Sequence, residues 1–271
     1  MSDSEQFPIT SGLVSEFDYR QTTGSTNVDL VEVASERGDF AVVASLDQTA
    51  GRGRLDRQWS SPAGESLAAS VLLRTRTASG HPLPIDSWGW YPLIGGAALR
   101  QAVADLLPEA HVTLKWPNDV QVSGRKISGI LADLVTVDGV PDSVVLGTGI
   151  NLTIPADRLP TPTSTSLVVE GANGSALHLA DAVFGAYLIH LRRLVELLAE
   201  GEPDGIEAVR QEVTAACDTL GRPVRVELPD GILLEGVAEG LDGAGRLVVL
   251  SNDSHDPLTI AAGDVTHLRY E

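Results

Sequence analysis

The sequence contains one cysteine, Cys217, among 271 residues. An internal disulfide is therefore impossible, and a metal site built from several cysteines is excluded. No apolar run reaches the roughly eighteen residues that a membrane-spanning helix requires. The N-terminal residues also lack the basic start and apolar stretch of a secretion signal. We therefore expect a cytoplasmic protein with no membrane partner.

Positive charge is scarce as well. The chain has 19 lysine and arginine residues against 37 aspartates and glutamates, which gives a formal net charge of -18. Because such a surface repels nucleic acids, we expect no DNA partner. Only two of the basic residues are lysines, Lys115 and Lys126, and they lie close together in the sequence. Since lysine is a compact charge and arginine a planar fork, this pair indicates a site where arginine cannot replace lysine.

The positive charge is concentrated in residues 51–59, which we call the arginine loop. It reads G-R-G-R-L-D-R-Q-W and contains Arg52, Arg54 and Arg57. Glycines let a backbone approach a ligand closely, guanidinium groups bind carboxylates and phosphates, and Trp59 can stack on a base. The loop therefore favours a site for a nucleotide beside a second anion. A solvated flexible loop, or an RGG-like segment for single-stranded nucleic acid, would explain the same residues.

The spacing of apolar residues predicts an α+β fold, with a mixed or antiparallel sheet flanked by helices. The predicted strands of this sheet are residues 17–21, 40–46, 66–74, 111–120, 123–134 and 143–152. The predicted helices are residues 25–38, 88–107, 177–198 and 205–220. We expect these helices to pack on one face of the sheet.

Three regions divide the chain. Residues 1–15 are polar and lack periodicity, which predicts a flexible N-terminal tail. Residues 16–219 hold the sheet, the helices and all the candidate site residues. Residues 220–271 change to short strands and turns, which are typical of a small antiparallel barrel.

The segment K-W-P-N-D at residues 115–119 predicts a polar turn after a strand. Pro117 ends the strand because proline cannot donate to a sheet. A sharp turn at this point exposes Lys115, Asn118 and Asp119. For Asp119, an ordinary role as a turn residue is an open alternative.

Two further strands carry candidate site residues. In the strand 123–134, alternation predicts that Lys126, Ser128 and Ile130 share one face, with Gly129 beside it. The strand 143–152 contains G-x-G-x-N, so two glycines thin one of its faces and Asn151 closes it. A side chain in place of Gly129 would crowd a ligand held at this face.

The start of the first predicted helix carries Ser25, Thr26 and Asn27. Exposed N–H groups and hydroxyls at a helix N-terminus can hold a polar ligand. Simple capping of the helix by Ser25 or Thr26 explains the same residues.

Taken together, four segments resemble the biotin protein ligases. They are G-R-G-R-x-x-R-x-W at 51–59, K-W-P-N-D at 115–119, G-R-K-I-S-G-I-L at 124–131 and G-x-G-x-N at 147–151. They follow the order of that family, and the resemblance covers the chain from about Phe17 onward. One departure is Asp133, where the family more often has glutamate. The resemblance implies an SH3-like C-terminal barrel and a monofunctional ligase, without the N-terminal DNA-binding domain of members that are also repressors.

The resemblance also implies the reaction. Biotin attacks the α-phosphate of ATP to give biotinyl-5'-adenylate and pyrophosphate, with ATP and Mg²⁺ as cofactors. A lysine of a biotin carboxyl carrier domain of an acyl-CoA carboxylase then takes the biotin. Because two anions must meet, positive charge at the site offsets their repulsion. Glycines around the arginines predict a loop that is mobile when empty and closes over the adenylate.

By the same resemblance, Lys126 is the central catalytic group, because an ammonium can stabilise charge that grows in the transition state. The implied catalytic residues are Lys126, Arg54, Lys115 and Asp119. The implied biotin-binding residues are Ser25, Thr26, Asn27, Gln48, Gly51, Arg52, Gly53, Arg54, Lys126 and Gly129. The implied ATP-binding residues are Arg54, Arg57, Trp59, Lys115, Asn118 and Asn151. Asp119 has two open roles, holding Mg²⁺ with phosphate oxygens or receiving a proton from the incoming lysine.

Two other functions are open at this stage. A lipoate or octanoate ligase of related fold also acylates a carrier lysine through an adenylate, but it requires a long apolar tunnel and lacks the full arginine signature. A noncatalytic protein that binds RNA or a nucleotide would use the arginine loop without Lys126.

Overall fold

The computed structural model describes most of the chain. The described residues are 3–55, 57–60, 62–201, 203–228, 231–252, 256–261 and 264–267. Among them, none of the helices combines the length and the apolar character that crossing a membrane requires.

A seven-stranded mixed sheet forms the larger part of the fold. Its strands are β1 (Phe17–Tyr19), β2 (Val42–Ser45), β3 (Ser66–Arg74), β4 (Val112–Lys115), β5 (Asp119–Val122), β6 (Arg125–Val137) and β7 (Val140–Asn151). Their order across the sheet is β1-β2-β3-β7-β6-β5-β4. Only the β1–β2 pair is parallel among these described strands. Strands β3 and β6 therefore lie on either side of β7.

Helices cover both faces of this sheet. They are α1 (Asp3–Gln6), α2 (Pro8–Leu13), α3 (Thr26–Glu32), α4 (Trp90–Leu106), α5 (Ala176–Ala199) and α6 (Asp204–Ala216). The main core lies between the sheet and the pair α4 and α5. On the opposite face, Leu30 of α3 packs in a smaller core with Val43, Leu72 and Val145. The prediction that all helices lie on one face is therefore wrong, because α3 has its own apolar contact with the second face.

The prediction of a flexible tail at residues 1–15 is wrong for residues 3–13, which form α1 and α2. Phe7 is fully buried, and its ring centroid lies 5.2 Å from that of Phe17. The carboxylate of Asp181 in α5 accepts hydrogen bonds from the Ile9 N–H (3.0 Å) and the Thr10 N–H (2.8 Å). A partner remote in sequence thus caps α2, and a local pattern does not reveal it. Residues 1 and 2 lie outside the described residues.

A second, five-stranded sheet follows α6, in agreement with the predicted barrel. Its strands are β8 (Pro223–Glu227), β9 (Leu233–Leu241), β10 (Leu247–Ser251), β11 (Pro257–Ile260) and β12 (Asp264–His267). Every neighbouring pair among them is antiparallel. The predicted barrel extends to residue 271, and residues 268–271 lie outside the described residues.

The turn between β9 and β10 joins the two sheets. The Trp90 Nε1–H donates to the Gly243 carbonyl at 2.8 Å, and the Trp116 Nε1–H donates to the Gly245 carbonyl at 3.3 Å. Cys217 is buried near this junction, at the end of α6, and burial raises the pKa of its thiol. The junction fixes the K-W-P-N-D segment against the second sheet.

Candidate active site

A cavity of about 160 Å³ opens on the face of the large sheet that carries α3. Thirteen of the predicted site residues line it: Ser25, Thr26, Asn27, Gln48, Arg52, Gly53, Arg54, Arg57, Trp59, Asn118, Asp119, Lys126 and Gly129. Further lining residues, which the sequence did not indicate as site residues, include Gln58, Ala68 and Thr148. The four segments of the sequence pattern therefore meet at one place.

The floor of the cavity consists of glycines in β6 and β7. A Cβ atom on Gly147 would overlap the Asn27 amide. A Cβ atom on Gly149 would lie 2.7 Å from Cζ2 and 2.8 Å from Nε1 of Trp59. These spacings are well inside the 3.5–4.0 Å of normal van der Waals contact. The prediction that glycines thin this face of β7 is confirmed, and their role is to admit side chains from α3 and the arginine loop.

A β-bulge brings Lys126 to the cavity. The pairing of β5 with β6 skips Ile127, so two residues of β6 oppose one of β5 at this point. Lys126, Gly129 and Ile130 all border the cavity. The Ile130 side chain, however, packs beside Gly95 of α4 and belongs to the main core on the other face of the sheet. The prediction that Lys126, Ser128 and Ile130 share one face is wrong, because the extra residue changes the alternation.

Lys126 is held by both its side chain and its backbone. Its Nζ atom lies 2.6 Å from Oδ1 of Asp119 and 5.7 Å from the centroid of the Trp59 ring. The Lys126 N–H donates to the Thr163 carbonyl (2.7 Å), and its own carbonyl accepts from the Thr165 N–H (2.8 Å). The segment after β7 therefore fixes the position from which the lysine side chain extends.

The arginine loop folds back on itself above the floor. The Gly53 N–H donates to the Arg57 carbonyl at 2.6 Å, and the Trp59 N–H donates to the Gly51 carbonyl at 3.0 Å. Across the cavity, Nη1 of Arg54 lies 3.4 Å from Oδ1 of Asn118. Arg52, Arg54 and Arg57 of the loop line the same cavity as Lys126.

Charge in the cavity is opposite in sign to that of the chain. Arg52, Arg54, Arg57 and Lys126 line it, and Asp119 is the only acidic residue in the part of the lining that the structure describes. The whole chain has a formal net charge of -18. An anion therefore finds local positive charge in this cavity although the chain as a whole is negative.

The end of the cavity at α3 is polar and almost fully buried. The Thr26 N–H donates to Oε1 of Gln48 at 3.0 Å. Nδ2 of Asn27 donates to Oδ2 of Asp133 at 2.8 Å, and the Ser70 hydroxyl lies 2.6 Å from Oδ1 of Asn27. Sequence reasoning did not identify Asp133 and Ser70 as site residues. The sequence spacing could have indicated Asp133. Residues 129, 131 and 133 alternate along β6, so Asp133 lies on the same face of the sheet as Gly129.

Three predicted site residues do not line the cavity within the described structure. Asn151 is 2% exposed, and its Nδ2 donates to the Thr165 carbonyl at 2.9 Å. Lys115 ends β4, opposite Asp119 across the predicted turn. Gly51 is buried, and a Cβ atom there would lie 2.6 Å from Nε2 of Gln48. Their contacts with a ligand stay predictions.

Sequence comparisons identify relatives along almost the whole chain. Residues 19–151 match the Biotin/lipoate A/B protein ligase family, and residues 219–268 match the Biotin protein ligase C terminal domain. The biotin–acetyl-CoA-carboxylase ligase of Mycobacterium tuberculosis is 34% identical over 258 residues, which cover 94% of this chain and 90% of that protein. The bifunctional ligase/repressor BirA of Escherichia coli is 30% identical over 233 residues, which cover 83% of this chain and 66% of that protein.

Solved structures share the fold. The biotin protein ligase from Aquifex aeolicus in complex with biotin and ATP superimposes with a TM-score of 0.71 at 23% identity, covering 94% of this chain and 100% of that one. The biotin protein ligase from Leishmania major in complex with biotin gives a TM-score of 0.57 at 24% identity, covering 95% and 99%. The motifs, the sequence relatives and the fold agree, and the chain belongs to the biotin protein ligase family.

Proposed function

We propose that this chain is a biotin protein ligase that activates biotin with ATP and transfers it to a lysine of a biotin carboxyl carrier domain. The observation that carries the proposal is the cluster of three arginines and one lysine in the cavity of an acidic chain. The carrier of an acetyl-CoA carboxylase is the proposed acceptor because the 34% identical relative is named for that enzyme.

In the first step, a carboxylate oxygen of biotin attacks the α-phosphorus of ATP. The bond from the α-phosphorus to the bridging oxygen breaks, and pyrophosphate leaves. The ammonium of Lys126 extends over the glycine floor, where it can contact both the carboxylate and the α-phosphate. The arginine loop offsets the charge of the phosphates. Fixed cations that face growing negative charge lower the barrier most, because they need no reorganisation during the reaction.

In the second step, the carrier lysine attacks the acyl carbon of the adenylate, and AMP leaves with the bonding electrons. The attacking amine must lose a proton. Asp119 is a suitable acceptor because it is the only carboxylate in the described lining and lies 2.6 Å from Lys126. Removal of this proton leaves a stable amide.

The proposed site also fits Mg²⁺ bound mainly through phosphates. Among the described residues, no three His, Cys, Asp or Glu side chains form a cluster that could hold a metal. Asp119 can supply one oxygen ligand, and phosphates supply the others that Mg²⁺ prefers. The ion would neutralise charge on the phosphates.

Trp59 fits the nucleotide end of the proposed site. Its Nε1–H is buried and has no hydrogen-bond partner within the described structure. A buried donor without a partner costs free energy, which an acceptor on a ligand would recover. Its ring also offers a surface for stacking. Asn118 lies next to Arg54 and lines the same cavity as Trp59, so the K-W-P-N-D segment also borders the proposed nucleotide site.

The test is a reconstitution with purified protein. With biotin, ATP and Mg²⁺, the chain should release pyrophosphate, and labelled biotin should pass to a lysine of a separate carrier domain. The control omits biotin, which should abolish pyrophosphate release. A chain that turns over ATP without biotin, or that never labels the carrier, would contradict the proposal.

A lipoate ligase is the second candidate, because the family model that matches residues 19–151 includes lipoate ligases. The polar end of the cavity favours biotin, since a dithiolane ring has no N–H or carbonyl to pair with it. We expect biotin, but not lipoate, to raise the thermal midpoint of the protein. Stabilisation by lipoate but not by biotin would favour the lipoate ligase instead.

A further inference from the structure

The backbone of Lys126 lies beyond the end of the neighbouring strand β7. The pairing of β6 with β7 begins at Ser128, opposite Ile150. Past Asn151 the chain leaves β6, because the Leu152 N–H donates to the Glu65 carbonyl at 3.0 Å. On its β7 side, the start of β6 therefore needs a different neighbour.

Residues 161–170, which we call the bracing segment, supply that neighbour. The Lys126 N–H donates to the Thr163 carbonyl at 2.7 Å, and the Lys126 carbonyl accepts from the Thr165 N–H at 2.8 Å. Thr165 is fully buried, and its own carbonyl accepts from Nδ2 of Asn151 at 2.9 Å. The bracing segment thus takes the place of a strand beside Lys126.

One carboxylate joins the bracing segment to the residue that precedes Lys126. Oε1 of Glu170 lies 2.7 Å from Nη2 of Arg125, and the same oxygen accepts a hydrogen bond from the Thr165 hydroxyl. The Glu170 side chain is only 10% exposed. Because a buried carboxylate is costly without partners, these two contacts favour a single arrangement of the segment. Glu170 therefore holds the backbone of Lys126 through both of its neighbours.

This ion pair lies outside the cavity. Lys126 is among the described lining residues, whereas Arg125 and Glu170 are not. Alternation along a strand accounts for the difference, since successive side chains point to opposite faces. The charge of Arg125 is thus used to hold Glu170, and the pair can affect a ligand only through the residues that it fixes.

The position of the Lys126 ammonium depends on a fixed backbone. Lysine has a flexible four-carbon stem, so packing of the chain behind it decides where the charge lies. A displacement of about 1 Å in a group that acts in a reaction can lower the rate up to 10²-fold. Loosening of the bracing segment should therefore affect the rate more than the affinity.

We propose that Glu170 is a positioning residue for adenylate formation. Its carboxylate fastens the bracing segment to Arg125 and so fixes the backbone from which the Lys126 ammonium extends. The inference rests on the proposed function and adds a residue outside the cavity on which the rate depends. Glu170 acts through Lys126 and touches no substrate.

The first experiment measures the single-turnover rate of biotinyl-5'-adenylate formation by the full chain. Glu170→Ala should lower this rate about tenfold, within the range expected for a displaced group. KM for biotin should stay within about twofold of that of the unchanged chain, because the cavity lining is intact. Glu170→Gln keeps an acceptor for Thr165 but loses the charge that holds Arg125, so its loss should be smaller, about threefold.

Asp142 offers a matched control at the opposite end of β7. Its carboxylate is also partly buried, and it pairs with both Arg74 and Arg76. Asp142→Ala removes a shared carboxylate and should destabilise the fold without reaching Lys126. Its rate of adenylate formation should therefore stay within about twofold of that of the unchanged chain.

A double-mutant cycle separates positioning from general stability. If Glu170 acts through the ammonium, Glu170→Ala should change the residual rate of Lys126→Ala by no more than about twofold. A Glu170 that only stabilises the fold would lower the rate by the same factor whether Lys126 is present or absent.

The second experiment needs no reaction. Hydrogen exchange under native conditions reports local opening around the backbone N–H groups of Lys126 and Thr165. In Glu170→Ala these two groups should exchange about tenfold faster than in the unchanged chain, since the segment that protects them is less firmly held. In Asp142→Ala their exchange should not change.

Any of three results would overturn the inference: a normal adenylation rate in Glu170→Ala, an equal loss in the Lys126→Ala background, or unchanged exchange at Lys126 and Thr165. If Glu170→Ala fails to fold, Glu170→Gln carries the same measurements. A failure of the proposed function looks different, because the unchanged chain itself would then form no adenylate.

Discussion

Replacement of Gly149 by alanine tests the idea that the glycine floor exists to admit the Trp59 indole. The new Cβ atom would lie 2.7 Å from Cζ2 and 2.8 Å from Nε1 of Trp59. Normal contact between such atoms is about 3.5–4.0 Å, so the indole must retreat by roughly 1 Å. Trp59 belongs to a loop, which can move without unfolding the sheet.

A shift of this size has a predictable kinetic effect. A displacement of about 1 Å in a positioning group can lower a rate up to 10²-fold. We therefore expect kcat/KM for ATP to fall by about tenfold to a hundredfold in Gly149→Ala, which corresponds to roughly 1.4–2.7 kcal/mol of transition-state stabilisation. The thermal midpoint should change by only a few degrees.

The assay is pyrophosphate release at varied ATP and saturating biotin, with thermal unfolding measured in parallel. Gly240→Ala is the matched control, because a Cβ atom at Gly240 would have no neighbour within 4 Å. It should behave as the unchanged chain. Full activity of Gly149→Ala would show that the site does not need the indole in this position. A loss of activity explained entirely by unfolding would show that Gly149 serves only the stability of the sheet.

Three other predictions concern separate features. Biotin with ATP should slow cleavage of the arginine loop by a protease specific for arginine, and equal cleavage rates with and without ligands would contradict closure of the loop. Asp181→Ala should reduce the free energy of unfolding by about 1–2 kcal/mol, because it removes the cap of α2, whereas Asp181→Asn should cost less since it keeps one acceptor. Trp90→Phe should destabilise the fold by roughly 1–3 kcal/mol through loss of the hydrogen bond to Gly243, measured by chemical denaturation and without a change in KM for biotin.

Much of the site could be predicted because its chemistry lies in contiguous motifs. The arginine loop and the K-W-P-N-D turn each combine unusual residues within a few positions, and the turn follows a strand, so side chains collect at one end of the sheet. The two lysines also stood out against a chain otherwise dependent on arginine. Lys126 proved to line the cavity, whereas Lys115 did not.

What could not be predicted depends on contacts between distant segments. The bulge at Ile127 is invisible in the apolar pattern, because one extra residue changes which side chains share a face without changing their composition. Ser70 and Asp133 gain their roles only from the order of β3, β7 and β6. Likewise, Asp181 and Phe7 stabilise the N-terminal helices through contacts with residues distant in the sequence. The helix propensity of residues 3–13 does not reveal such contacts.

We propose that Lys126 and the arginine loop provide the positive charge where the biotin carboxylate meets the α-phosphate of ATP. The most direct test of this proposal is the single-turnover rate of biotinyl-5'-adenylate formation by Lys126→Ala at saturating biotin and ATP. A rate at least about a hundredfold below that of the unchanged chain is predicted, with an unaltered thermal midpoint, since one fixed electrostatic group typically contributes this much. Adenylate formation at the normal rate would contradict the account.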